Sequence, residues 1–405
     1  MLTTLENELI TRTGAATPGG ALLRRFWYPV LTSDDLTAGG APRRVRLLGE
    51  NLVAFRGSDG TIGLLDEACP HRRASLALAR NENCALRCLF HGWQMDVAGN
   101  VVGVPSEPDG ARFASKVKAR SYSVREVAGV VWAYVGGGEP SQFPSYAFQA
   151  LPETQIRITR ALIRCNWVQV VEGFLDSSHI SHLHASVPAD PTYYAMKMAD
   201  GAPAFDVEIT PYGLYAAAIR NIGDGKRYAR VTEMVMPSTG FIPAPRAPGP
   251  AYEAYPEGSI FVVPLDDVTS VQWWIRYTRY PEHAGNLFGG GWVQRYESDA
   301  LWGQDREKID AGHASGLPSL AMEDIAMAES QGPICDRSQE YLGSSDSVIT
   351  RYRRMLIEQI RSNADGRLPP SLAGDLPYES RRAHAVIHPE SVDWRDAIAL
   401  QTAQG

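Results

Sequence analysis

The spacing of apolar and polar positions changes twice along the chain. Residues 4–12 carry a helical spacing, which Gly14, Pro18, Gly19 and Gly20 interrupt before an apolar stretch from Leu22 to Leu31. From Arg44 to Val135 the period shortens to that of strands. VRLL at 45–48, LVAF at 52–55, IGLL at 62–65, VVGV at 101–104 and VVWAYV at 130–135 recur between turns, which predicts a small antiparallel β domain. Gly136-Gly137-Gly138-Glu139-Pro140 then marks a boundary. Beyond it a helical region runs from about 166 to 184, and strand-like runs including SIFVVPL and VQWWIRY fill the stretch between Phe205 and Tyr280. Segments 297–313, 319–331 and 345–362 read as helices, the last with Val348, Tyr352, Met355 and Gln359 on one face. The fold class is therefore α+β, divided as an N-terminal helical segment (1–38), a small all-β domain (39–140) and a larger domain (141–405) in which helices gather on one side of an antiparallel sheet.

A chain of 405 residues is long enough to bury two cores. Its 44% hydrophobic and 21% charged residues are those of an ordinary globular protein, and no run of about 18 apolar residues suggests a membrane span. The first eight residues carry acidic side chains where a secretory signal would be basic, and no apolar segment follows them, so a cytoplasmic location is expected. The net charge of −7 is spread along the chain, which argues against a general affinity for nucleic acid or anionic lipid and leaves small molecules and proteins as partners. Five cysteines, an odd number, read as metal ligands or core residues rather than a disulfide framework.

Two groups of residues carry chemistry. Cys69-Pro70-His71 is followed after sixteen residues by Cys88-Leu89-Phe90-His91, so each of two short loops offers one thiolate and one imidazole. A structural zinc site of the Cys2His2 kind usually pairs its cysteines in one knuckle and its histidines in the other, whereas here each knuckle is mixed. A 2Fe-2S cluster with both cysteines on one iron and both histidines on the other suits that pattern. Cys84, four residues before Cys88, reads as a buried or surface thiol outside the cluster.

The second group is Glu172-Gly173-Phe174-Leu175-Asp176-Ser177-Ser178-His179-Ile180-Ser181-His182-Leu183-His184. On a helix, Glu172, Asp176 and His179 would share a face. His179 with either His182 or His184, joined by a carboxylate from elsewhere, would make a two-histidine, one-carboxylate triad with open positions for O2. The segment 321–329 supplies that carboxylate on a predicted helix, with Asp324 the first choice and Glu323 and Glu329 the alternatives.

Cys69-Pro70-His71-Arg72, Cys88-x2-His91-Gly92-Trp93 and Asp176-x2-His179-x4-His184 together resemble the Rieske non-haem iron oxygenases, and in particular the phthalate dioxygenase oxygenase component and its ring-hydroxylating relatives. The segments 44–50, 322–326 and 331–337 are similar to the same group, so the resemblance covers nearly the whole chain. It implies a Rieske domain followed by a catalytic domain of helix-grip type, a Rieske cluster held by Cys69, His71, Cys88 and His91, and a mononuclear Fe(II) held by His179, His184 and Asp324. It also implies a homotrimer or hexamer in which the cluster of one subunit serves the iron of the next, with Asp176 linking the two centres. An NADH-dependent reductase, with flavin or ferredoxin, would supply electrons for oxidation of an aromatic carboxylate by O2. Cis-dihydroxylation is the leading reaction and monooxygenation, including O-demethylation, the alternative. Arg220, Arg230 and Arg246 lie in the strand-rich region and are candidates to hold the carboxylate. The non-oxygenase rivals are a Rieske electron carrier, which would leave residues 179–184 without a role, and an iron-free binding protein.

Overall fold

The strands read between Arg44 and Val135 form in the computed structural model as small antiparallel sheets. One consists of Arg43–Leu47, Glu50–Arg56 and Ile62–Asp66; in a second, Trp27–Thr32 pairs with Val130–Tyr134, which pairs with Ser123–Val127. A third contains Arg80–Glu82, Ala85–Arg87, Gln94–Asp96 and Val101–Gly103. The first three strands of this last sheet have only three residues each, too few to show a period in the sequence. Their core gathers Val53, Phe55, Leu65, Leu86, Trp93 and Met95 beneath Cys69 and Cys88.

The structure describes residues 1–404 apart from 250–251, 253, 373–375 and 377. These form two compact units, residues 13–143 and residues 1–12 with 144–405. The stretch 1–38, read in the sequence as one segment, is thus shared between them. Helix Thr4–Thr11 starts with a Thr3–Glu6 capping box and buries Ile10, and Asn7 Nδ2 donates to Cys335 O at 2.9 Å, which ties it to the second unit. Strand Trp27–Thr32 completes a sheet of the first unit.

The second unit is built on one sheet in which Ala204–Thr210, Gly213–Gly223, Lys226–Val235, Thr239–Phe241, Glu257–Pro264, Ser270–Tyr277, Ile156–Ile163 and Gly291–Trp292 lie in that order. His384–Pro389 pairs beside Lys226–Val235. Helix Trp167–Leu175 packs on Glu257–Pro264, Leu320–Ser330 on Ile156–Ile163, and Ser347–Ala364 on Ala204–Thr210 and Gly213–Gly223. Val348, Tyr352, Met355 and Gln359 are buried along helix Ser347–Ala364, as their spacing requires. Gly240 lets helix Trp167–Leu175 approach closely, since a Cβ there would sit 2.7 Å from the Phe174 ring. Two helical readings shorten. The region 166–184 leaves the helix at Leu175, and 297–313 holds one α-helix, Arg306–Asp310, because Leu301 and Trp302 take left-handed φ values of 47° and 53°. No helix among the described residues is long and apolar enough to cross a membrane.

A buried ion-pair knot anchors the helix that leads to the histidines. Glu172 accepts from Arg337 at 3.1 and 2.8 Å and from Arg353 Nε at 2.6 Å, while Arg337 Nη1 also donates to Asn7 at 3.0 Å. Burial pushes the Glu172 carboxyl up, but the two guanidiniums outweigh it and hold its pKa below the usual range. Its contribution to stability is therefore complete above the unfolded carboxylate value of about 4.3 and is lost as pH falls below that through the lower folded value. Glu172→Gln is expected to cost about 3–5 kcal/mol at pH 7, because it leaves buried guanidinium charge unpaired. Urea unfolding of both proteins from pH 7 down to pH 3 checks this, with the difference shrinking in acid. A loss under about 1 kcal/mol at neutral pH would remove the knot from the stability account.

Candidate metal centres

In the first unit two loops share one backbone plan. Cys69 N donates to Ala74 O at 2.8 Å and Arg73 N to Cys69 O at 2.9 Å; Cys88 N donates to Trp93 O at 2.8 Å and Gly92 N to Cys88 O at 2.9 Å. The residue four after each cysteine is left-handed, Arg73 at φ 61° and Gly92 at φ 77°. A Cβ at Gly92 would lie 2.8 Å from Pro105 Cγ, so that loop needs glycine twice over. Both turns bring their histidines together: the His71 and His91 rings are 4.5 Å apart, and His71 stacks flat on Trp93 at 4.5 Å. Trp93 is itself fixed by donating to Ser106 Oγ at 3.1 Å. The Nδ1 atoms of His71 and His91 are buried without a hydrogen-bond partner among the described residues. Cys69 and Cys88 are buried and unpaired, and burial pushes the Cys69 thiol up to about 11. A protein seldom leaves two buried imidazole nitrogens without partners beside two buried thiols, and a metal cluster would satisfy all four.

Cys84 belongs elsewhere. With Asn83 it makes the two-residue left-handed turn between Arg80–Glu82 and Ala85–Arg87, φ 53° and 57°, and its Sγ lies 3.4 Å from Ser58 Oγ. Cys84→Ser is expected to keep the visible spectrum and the low-g EPR signal of the reduced cluster, whereas His71→Cys or His91→Cys should change that signal. Loss of the cluster in Cys84→Ser would mean the ligands are misassigned.

In the second unit the helix Trp167–Leu175 is N-capped by Asn166 and ends at Asp176, whose Oδ1 accepts from Ser178 N at 2.7 Å. Asp176 and His179 therefore do not share a helix face with Glu172, as the sequence suggested. They lie past its end, His179 opening the single 3₁₀ turn His179–Ser181. The extra turn rotates His182 into solvent and brings His184 back. The Nε2 atoms of His179 and His184 come within 3.1 Å, and Asp324 Oδ1 lies 3.0 Å from the latter and 3.7 Å from the former. Bonds of about 2.1 Å at right angles place neighbouring donors roughly 3 Å apart, so these three atoms can face one ion. They form a two-histidine, one-carboxylate set.

Behind each imidazole stands a second carboxylate. Asp176 Oδ2 is 3.4 Å from His179 Nδ1, and Glu323 Oε2 is 2.6 Å from His184 Nδ1. Burial raises the Asp176 carboxyl but His179 more than offsets it, leaving the pKa low. Burial also opposes protonation of His184, yet Asp324 and Glu323 together lift its pKa to about 9, a pocket that favours a positive charge. Glu329, the other carboxylate weighed in the sequence, is committed elsewhere, accepting from Arg295 at 2.7 Å and Trp302 Nε1 at 2.8 Å.

Arg220 and Arg230 sit on paired strands, Arg220 opposite Tyr228 and Arg230 opposite Ala218, so both point to one face. They are 0% and 7% exposed. Arg220 Nη2 donates to Ser177 O at 2.6 Å, and Arg230 Nη1 lies 3.4 Å from Ser177 Oγ. Arg220 Nε and Nη1 and Arg230 Nε have no partner among the described residues. Burial, then the like charge of Arg230, depresses the Arg220 pKa. Arg246 instead stacks on Tyr255 at 5.3 Å. Nothing in the sequence singled out Ser177 or Glu323 for these roles, since both depend on where the chain turns after Leu175.

Residues 26–123 match the Rieske 2Fe-2S domain family and residues 133–404 the family described as LigXa C-terminal domain like. The chain is 37% identical to the phthalate 4,5-dioxygenase oxygenase subunit of Pseudomonas putida, covering 98% of this chain and 94% of that one. It is 33% identical to the 3-chlorobenzoate-3,4-dioxygenase oxygenase subunit of Comamonas testosteroni, covering 98% of each. A solved structure of dicamba monooxygenase bound to dicamba superposes with a TM-score of 0.62 at 19% identity, over 85% of this chain and 99% of that one, and so shares the fold. The chain belongs to the Rieske non-haem iron oxygenases, as a phthalate dioxygenase-like oxygenase component. It is an oxidoreductase whose cofactors are a Rieske 2Fe-2S cluster and a mononuclear iron.

Proposed function

We propose that this oxygenase uses NADH and O2 to cis-dihydroxylate an aromatic carboxylate. The observation that carries the substrate class is the buried pair Arg220 and Arg230, which meet at Ser177, two residues before His179, while Arg220 Nε and Nη1 and Arg230 Nε have no hydrogen-bond partner among the described residues. Two buried like charges side by side are costly, and a substrate carboxylate would offset them through charge-assisted hydrogen bonds. The relatives named for phthalate and 3-chlorobenzoate point to the same chemical class. Arene, O2, NADH and a proton give a cis-dihydrodiol and NAD+, with both oxygen atoms entering the ring.

In this reading Cys69, His71, Cys88 and His91 hold the cluster, and His179, His184 and Asp324 hold the iron. The iron supplies oxygen activation, and the chain orients the ring by its carboxylate and keeps water away. An NADH-dependent reductase would supply electrons to the cluster held by Cys69, His71, Cys88 and His91. In a trimer, or a multiple of one, that cluster would serve the iron of the next subunit, with Asp176 as the link between His179 and the neighbouring cluster.

A surrogate reductase, NADH and a panel of benzoates and phthalates test this. Coupled NADH and O2 consumption is expected only with carboxylates, and 18O2 should put two labelled atoms in the product; one labelled atom would mean monooxygenation. Arg220→Met or Arg230→Met should raise KM at least tenfold, about 1.4 kcal/mol. If neither raises it beyond about threefold, roughly 0.7 kcal/mol, the carboxylate clamp is wrong.

A further inference from the structure

We infer that Glu323 is a positioning residue that fixes the ring of His184 and thereby sets how tightly the catalytic domain holds its iron; this rests on reading His179, His184 and Asp324 as the iron ligands. Glu323 and Asp324 are neighbours on helix Leu320–Ser330, yet they meet the two nitrogens of one imidazole: Glu323 Oε2 is 2.6 Å from Nδ1 and Asp324 Oδ1 is 3.0 Å from Nε2. Only one of these carboxylates is free to face an ion. Glu323 is 1% exposed, and its other oxygen accepts from Ser315 Oγ, which in turn accepts from Leu317 N at 3.2 Å. The backbone of His184 is held as well, since Lys197, 2% exposed, donates from Nζ to His184 O at 2.7 Å. Lys197 also offsets the negative charge of Glu323 within this buried group.

With an ion among the three donors His184 would carry a single proton, and a carboxylate acceptor at Nδ1 places that proton there and leaves Nε2 to the ion. The opposite tautomer would place a hydrogen among the donor atoms and strip Glu323 of its partner, which a carboxylate in so dry a place tolerates poorly. His179 differs, for its carboxylate Asp176 is 3.4 Å away and 32% exposed. One imidazole is thus rigidly held and the other loosely, and the rigid one is expected to dominate metal retention.

The test uses the full-length holoprotein and reads ferrous iron retained during dialysis against a graded ferrous chelator, relative to acid-labile sulfide, which reports the cluster separately. Glu323→Leu should weaken iron binding about 10–100-fold while the cluster stays full. Glu323→Gln, whose amide oxygen still accepts from Nδ1, should recover most of that loss. Ser315→Ala, which frees the Glu323 carboxylate to turn, should fall between wild type and Glu323→Leu and keeps the test decisive if the leucine variant fails to fold. Wild-type retention in Ser315→Ala together with equal loss in the Gln and Leu variants would overturn the inference, as would a folded Glu323→Leu protein with undiminished iron affinity. His184→Ala separates the two levels of the argument: if it keeps the mononuclear iron, the ligand assignment itself falls and the inference with it.

Discussion

Asp324→Ala is expected to yield a folded, brown protein with a full cluster, no mononuclear iron and turnover at least about a thousandfold below wild type, some 4 kcal/mol on the barrier. The carboxylate is the one charged donor in the set and lies 3.0 Å from His184 Nε2 and 3.7 Å from His179 Nε2. Removing it leaves two imidazoles, too few to hold Fe(II) against solvent. The fold should tolerate the change, because helix Leu320–Ser330 keeps its Ser319 cap and alanine favours helix. Iron and sulfide counts with the cluster EPR signal check the prediction. Full iron content in this variant would place the third ligand elsewhere.

Asp176→Asn is expected to keep cluster, iron and assembly while slowing electron arrival at the iron by at least about tenfold, more than 1.4 kcal/mol. Asp176 sits outside the donor set with Oδ2 3.4 Å from His179 Nδ1, and it is 32% exposed, which leaves it reachable from a partner subunit. The asparagine has the same shape but loses the carboxylate charge. Single-turnover oxidation of the reduced cluster with O2 and substrate, at equal iron occupancy, isolates this step. An unchanged rate would take Asp176 out of the electron path.

The two loops around Cys69 and Cys88 were legible because each loop holds its two donors within a few residues and mixes one cysteine with one histidine, which favours a cluster over a zinc knuckle. The histidines at 179 and 184 were legible as a group, but the choice between His182 and His184 turned on where the helix stops. Asp176 captures Ser178 N and ends the helix near Leu175, a competition between side chain and backbone that a helical period does not reveal. Glu323 and Asp324 are adjacent and chemically alike, so only the orientation of their helix against His184 decides which meets Nδ1 and which meets Nε2. The arginine pair was visible as residues on strands. That Arg220 and Arg230 are buried with N–H groups left without a partner among the described residues, while Arg246 stacks on Tyr255, depends on the register of Gly213–Gly223 against Lys226–Val235.

Iron and acid-labile sulfide, measured per chain on anaerobically purified protein, test the presence of both centres most directly. Two irons and two sulfides for the cluster plus one mononuclear iron give three irons to two sulfides, falling to two to two in His184→Ala. A wild-type protein that holds only two irons per two sulfides after reconstitution with Fe(II) would contradict the second centre and leave a protein that could carry electrons but not oxygenate a ring.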